Sequence, residues 1–265
     1  ITIMEDGILM APAAYSAPAA YYFPSIARMQ SIEVLKGSSQ IAFGPQTAGG
    51  AINLVTTGFD EQESGGMLRY EASGFGGFLQ HARSIQQWDS KRGSWGIMVE
   101  GLRIGSDGFK SLPNENATGF DKSDQLIKMR WKSKESARRP MSIQLKWSQT
   151  DETSHETYAG LSAVDFEADP FQRYSASEND LMTSAHSQAV ATHEWQITPA
   201  WSTKTDVYRT TFERNWYKLD RAKDSLGQSI SLQTLIDGMS QNLLQSNTPE
   251  GYVLQMKANN RIYEA

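Results

Sequence analysis

Asp151-Glu-Thr-Ser-His-Glu156 gathers carboxylates and an imidazole within six residues, and the chemistry this suggests is cation binding. A calcium loop needs oxygen ligands at fixed intervals and a glycine at its sharp turn. The segment has neither and reads as a solvated loop. Of the four histidines, His155 and His193 are candidates for touching a metal. None of the four stands at ligand spacing from another, and His193 reads more simply as a strand residue facing a membrane interface. There is no cysteine, so neither a disulfide nor a thiolate zinc site is possible. No Gly-x-Ser-x-Gly, phosphate-cradling loop or paired-carboxylate constellation is present. The chain therefore reads as a non-enzyme with no cofactor of its own.

The most specific local pattern lies in the elements around Arg28–Thr57. A strand over Ser31–Leu35 runs into a glycine turn at Gly37. Phe43-Gly44-Pro45 and the pair Gly49-Gly50 follow, and a second strand covers Ala51–Thr56. Each glycine permits positive φ or close backbone approach. Ile32, Val34, Ile52 and Val55 supply β-forming positions. Gln46 and Asn53 read as side chains satisfying buried backbone groups, and Glu33 and Lys36 as members of ion pairs to a neighbouring unit. Upstream, Ile1–Met4, the Asp6-Gly7 turn and Ile8–Met10 read as a hairpin. Ala11–Pro24, rich in Ala, Pro and Tyr, has no period and reads as an ordered loop.

From Met67 the pattern changes to period two. Leu68, Tyr70 and Ala72 alternate with Arg69, Glu71 and Ser73. Ile127, Met129 and Trp131 alternate with Lys128, Arg130 and Lys132. Ile143, Leu145 and Trp147 alternate with Gln144, Lys146 and Ser148. Ala189–Ile197 behaves likewise, Ile97–Leu102 and Trp201–Arg214 less cleanly, and a further strand is expected near Gln80–Asp89. Segments of about ten residues cross a bilayer when tilted. Asp89–Ser94, Lys134–Pro140 and Thr198-Pro199-Ala200 are turn-like, whereas Asp107–Lys122, Thr150–Ala185 and Asn215–Val253 are long. Short turns at one end and long loops at the other mark a membrane barrel, and the tryptophans near strand ends suit an interfacial girdle. A soluble antiparallel sandwich also alternates, but loops beyond 30 residues argue against it. Seven strands are clear, with an eighth over Tyr252–Ala265. The hydrophobic fraction of 39% and net charge of −5 fit strands that alternate faces and disfavour a nucleic-acid surface.

The Arg28–Thr57 motif resembles the end of the plug domain of TonB-dependent outer-membrane receptors. Tyr158–Tyr174, Arg214-Asn-Trp-Tyr-Lys-Leu219 and Asn259-Asn260-Arg261 resemble segments of the ferric-dicitrate-type siderophore receptors within that family. The resemblance implies an all-β transmembrane barrel, with a small α/β plug, that closes with about 22 antiparallel strands when complete. About seven or eight of them would be here, and the chain would be cut at both ends. The implied division is 1–57 for the C-terminal part of the plug, 58–66 for a linker and 67–265 for the first part of the barrel.

The implied function is active uptake of a ferric chelate across the outer membrane of a Gram-negative bacterium. The implied partners are the TonB–ExbB–ExbD complex, reached through a segment N-terminal to this chain, the ferric chelate and outer-membrane lipid, with no nucleic acid. Cobalamin, haem, another metal chelate or an oligosaccharide are alternative cargoes. A passive porin or adhesin is a further alternative, but porins lack the plug motif. Recognition of an anionic chelate calls for cations and hydroxyls at the outer mouth. The plug-loop candidates are Tyr15, Ser16, Tyr21 and Tyr22. The barrel-loop candidates are Arg173, Tyr174, Arg214 and Lys218. Glu33, Lys36, Gly37, Gly44, Gln46, Gly49, Gly50 and Asn53 form the plug's structural motif. Ferric-citrate members carry glutamine-bearing polar residues where this chain reads Tyr15-Ser-Ala-Pro-Ala-Ala20, which implies a different or less polar chelate.

Overall fold

A computed structural model describes residues 2–10, 22–37, 49–60, 63–237 and 252–264. Two sheets hold most of them. The first has four strands: β1 (Thr2–Glu5), β2 (Ile8–Leu9), β3 (Met29–Leu35) and β4 (Ala51–Thr56), in the order β2-β1-β4-β3. β1 and β4 run parallel, and the other neighbours are antiparallel. Asp6 and Gly7 both take positive φ (52° and 81°), the two-residue hairpin geometry that an Asp-Gly pair adopts readily. Gly37 and Gly50, at φ 76° and 96°, likewise turn the chain where a side chain would be strained. A three-residue 3-10 turn, Ile26–Arg28, leads into β3. β4 pairs with β1 and β3 and with no strand of the second sheet.

The second sheet is an antiparallel meander. Its strands are β5 (Gly65–Ala72), β6 (Phe78–Ser90), β7 (Gly93–Ser106), β8 (Phe120–Ser133), β9 (Met141–His155), β10 (Leu181–Thr198) and β11 (Trp201–Asp224). The two-residue β12 (Ser229–Ile230) and the longer β13 (Tyr252–Glu264) both pair with β11. Among the described residues this sheet does not close. Its strands overrun the expected lengths: β9 extends through the acidic segment to His155, β10 begins at Leu181, and β11 continues to Asp224. The expected loops at 150–185 and 215–253 shrink accordingly. The extra residues of β11 are held by β13, a partner about forty residues further on.

Burial in this sheet is inverted relative to a soluble protein. On β8 and β9 the large exposed side chains are Ile127, Met129, Ile143, Leu145 and Trp147, whereas Lys128 and Lys146 are only 3% and 5% exposed. Apolar residues face out and polar ones face the first sheet, the arrangement lipid demands of a barrel wall. Trp88, Trp95 and Trp131 are cross-strand partners in one row near the short turns, with the last two rings 6.5 Å apart. Such a row suits an interfacial aromatic girdle. Inside the wall, Phe59 packs with Ile85, Met98 and Leu126. Gly96 makes this possible, since a Cβ there would lie 2.6 Å from the Phe59 ring.

At the long-loop end the chain builds a small core of its own. Ala159, Tyr174 and Ala176 pack with Leu219 and Ala222 of β11 and with Leu235 and Ile236 of the helical segment 232–237. Ser162 caps the helix α1 (Ala163–Ala168) by accepting from the Asp165 amide.

Candidate functional site

The two sheets meet through charge. Glu5 ends β1, Asp6 opens the hairpin and Arg28 ends the 3-10 turn. Opposite them, the alternation of β8 and β9 turns Asp124, Lys128 and Lys146 inward. Lys128 and Lys146 are direct cross-strand partners, a like-charge pair that is destabilising when alone. The Asp6 carboxylate answers both, at 2.7 Å from Lys146 and 3.5 Å from Lys128. Lys146 also reaches Glu5 at 2.6 Å. Arg28 grips Glu5 with both terminal nitrogens (3.1 and 2.6 Å) and Asp124 with Nε at 2.8 Å. Lys128 adds hydrogen bonds to the Thr56 hydroxyl and the Thr57 carbonyl. Three charges on each side thus balance to zero, −1 from the first sheet against +1 from the wall.

Burial by itself would push both acids up. The Lys146 ammonium and the Arg28 guanidinium outweigh it and hold Glu5 at about 2. Lys146 and Lys128 hold Asp6 well below the usual carboxylate range. Arg28 is raised against its own desolvation by Glu5 and Asp124. Glu5, Asp6 and Arg28 are therefore charged at neutral pH.

A second contact lies toward the long-loop end. Tyr22, expected on an outer loop, is buried between the sheets. Its ring stacks on His186 at 4.0 Å with an 8° interplanar angle, and its hydroxyl bonds Thr150 at 2.9 Å. His186 Nε2 donates to the Met10 carbonyl at 3.0 Å, and Lys122 donates to the Phe23 carbonyl at 3.0 Å. Burial pushes the Tyr22 phenol well above its ordinary value. Tyr22→Phe should cost about 0.5–1.5 kcal/mol of docking through the lost hydrogen bond. Tyr22→Ala should cost about 3–5 kcal/mol through the cavity. Thermal unfolding of the two variants checks this, and equal losses would remove the ring packing from the account.

The remaining candidates fall in different places. Tyr15, Ser16, Tyr21, Gly44 and Gln46 lie outside the described residues. Arg214 and Lys218, expected in a loop, stand on β11 because that strand continues past them. They form one group: the Arg214 guanidinium lies 3.8 Å over Trp216, Lys218 lies 5.1 Å over Tyr158, and the two rings meet edge-on at 6.2 Å. Tyr158, not singled out from the sequence, completes the ladder; burial and Glu156 raise its phenol. Tyr174 is fully buried in the loop core, donating to Asp165 and accepting from the Ser162 amide at 2.8 and 2.9 Å. Arg173 donates to the carbonyls of Pro170 and Gln172 in its own loop.

In the plug motif, Asn53 Oδ1 accepts from the Gly7 amide at 2.8 Å, the backbone role expected of it, while Nδ2 donates to Glu33 at 2.8 Å. Glu33 therefore turns to its own sheet instead of the wall, and Glu5, Asp6 and Arg28, not singled out from the sequence, make inter-sheet ion pairs. Lys36 and Gly37 follow β3, and Gly49 and Gly50 precede β4.

No protein-family model and no curated protein matches the chain. Among solved structures, 83% of the chain matches 32% of the ferric citrate transporter FecA in its unliganded form, at TM-score 0.58 and 19% identity. Two further likenesses are weaker in TM-score. A variant of the ferric enterobactin receptor PfeA of Pseudomonas aeruginosa is matched over 98% of this chain and 37% of its own, at TM-score 0.49 and 10% identity. The siderophore receptor PiuA of Acinetobacter baumannii is matched over 98% and 45%, at 0.48 and 11%. The chain spans about a third of the length of the ferric citrate transporter it matches. At 19% identity the likeness is one of fold: with its four-stranded sheet held against an antiparallel wall that is apolar outside and polar inside, this chain has the fold of part of an outer-membrane β-barrel receptor, the fold of the ferric citrate transporter.

Proposed function

We propose that this chain is part of an outer-membrane receptor that takes up a ferric chelate, with TonB and its ExbB–ExbD partners supplying force to the plug. In this proposal residues 1–57 belong to the plug, 58–66 link it to the wall, and the barrel runs from 67, with strand pairing already under way at Gly65. The observation that carries the proposal is the charged seam. A passive pore needs no folded sheet docked against its inner wall, whereas a gated one does. The wall's inverted burial supports the membrane setting.

Lys218 over Tyr158, with Arg173 and the plug-loop residues Tyr15, Ser16 and Tyr21, supplies cations and aromatic faces suited to an anionic chelate, while Arg214, 1% exposed, backs the ladder through Trp216. Titrating the intact receptor with ferric chelates tests this. Replacing Lys218 and Arg173 with glutamine together should weaken binding by about 1–3 kcal/mol, or roughly 5- to 150-fold, if each charge-assisted contact is lost. An unchanged dissociation constant would move recognition away from these loops. Failure of every ferric chelate to bind the unmodified receptor would overturn iron as the cargo.

A further inference from the structure

We propose that the short-turn end of the wall carries a collar that holds anionic phospholipid headgroups. The β6–β7 turn presents Lys91 and Arg92, and the β8–β9 turn presents Lys134, Arg138 and Arg139. These turns are neighbours, because Gly93 and Ser133 pair at the ends of β7 and β8. All five cations are exposed. Among the described residues none of the five forms an ion pair; Asp60 is taken by Arg130 and Lys132, just inside the wall. Two carboxylates share these turns, Asp89 and Glu135, so the local balance is five positive against two negative. The third short turn, Pro199-Ala200, carries no charge, so the collar is confined to the β6–β9 side.

Immediately above the collar lies the row of Trp88, Trp95 and Trp131, with Trp88 and Trp95 51% and 41% exposed on the lipid face. Indole rings settle at headgroup depth, so this row fixes the height of the bilayer surface at the level of the turns. Guanidinium groups then meet phosphodiester oxygens with a matching fork of donors, and ammonium groups add point charges. Further along the wall Arg103 and Arg209 are each taken by a carboxylate, Asp121 and Glu264. The collar lies on the leaflet that the short turns face.

The test reconstitutes the intact receptor into bilayers of mixed phosphatidylcholine and phosphatidylglycerol and measures, by native mass spectrometry, which lipid it retains. Unmodified receptor should enrich phosphatidylglycerol, and added salt should reduce the enrichment. The variant with Lys91, Arg92, Lys134, Arg138 and Arg139 all replaced by glutamine should lose about tenfold or more of it. Arg138→Gln with Arg139→Gln should lose about fivefold, giving a milder variant should the larger one fail to insert. Arg138→Lys with Arg139→Lys should keep most of it. Either glutamine variant inserted and still enriching the lipid as the unmodified receptor does would overturn the collar. The inference rests on the membrane setting proposed above; a receptor that never enters the bilayer overturns that setting, whereas an inserted receptor with no lipid preference overturns the collar alone.

Discussion

Replacing Arg28 with methionine should loosen the plug from the wall by about 3–5 kcal/mol, the cost of breaking a buried pair from one side. Arg28 and Glu5 are 1% and 0% exposed at their side chains, and Arg28 also holds Asp124. Its loss leaves Asp124 facing a neutral side chain and Glu5 dependent on Lys146. Hydrogen exchange of residues 2–10 and 29–35 in the intact protein would report the change as faster opening. Adding Asp124→Leu should recover a good part of the loss, since an apolar pair of similar volume is often neutral. A loss under about 1 kcal/mol, typical of exposed pairs, would mean that water reaches the seam and screens it. The pH dependence has a definite sign. Glu5 is depressed from 4.5 to about 2, so its contribution is full above 4.5 and fades as pH falls toward 2. Between pH 5 and 8 the contribution of Glu5 should therefore be constant.

The 265-residue chain on its own should not form a stable membrane unit. Its second sheet ends in two unclosed edges, at β5 and at β11–β13, and each unsatisfied backbone group in lipid costs several kcal/mol. The seam cannot offset this, because it joins side chains and leaves the edge amides unpaired. In detergent the chain should run without heat-modifiable mobility and be digested by protease. A protease-resistant monomer whose migration changes on boiling would show that the edges meet one another or are covered.

Much of this architecture was legible because two signals are local. Period-two alternation in Ile127–Lys132 and Ile143–Ser148 placed β8 and β9 and told their faces apart. Asp6-Gly7, Gly37 and Gly50 announced turns whose φ values require them. What escaped was non-local. Asn215–Asp224, rich in charge, reads as loop until β13 arrives to pair with it. Tyr22 lies in an aperiodic stretch, and nothing nearby announces that His186, over 160 residues away, will stack on it. The seam itself was half visible. The alternation puts Lys128 and Lys146 on the polar face of their strands, without saying which anions they meet. Those anions, Glu5 and Asp6, look like ordinary hairpin residues, and Glu33 was the more conspicuous carboxylate. Lys218 and Arg214 were found as chemistry-bearing residues but not as a stacked group, because their aromatic partners come partly from the preceding loop.

Between the apolar contacts that Tyr22 makes with Phe212 and that Phe59 makes with Ile85, Met98 and Leu126, the charged part of the seam is made of ions and hydrogen bonds, and that governs how this part can come apart. An apolar interface resists sliding until water floods it as a whole, because exposing hydrocarbon has no compensating partner. Here each carboxylate, ammonium and hydroxyl that lets go can accept a water molecule in place of its old partner. Displacement can then proceed as a series of small exchanges, with solvent acting as lubricant, and the plug can return along the same steps because its partners on the wall stay fixed by the β8–β9 register.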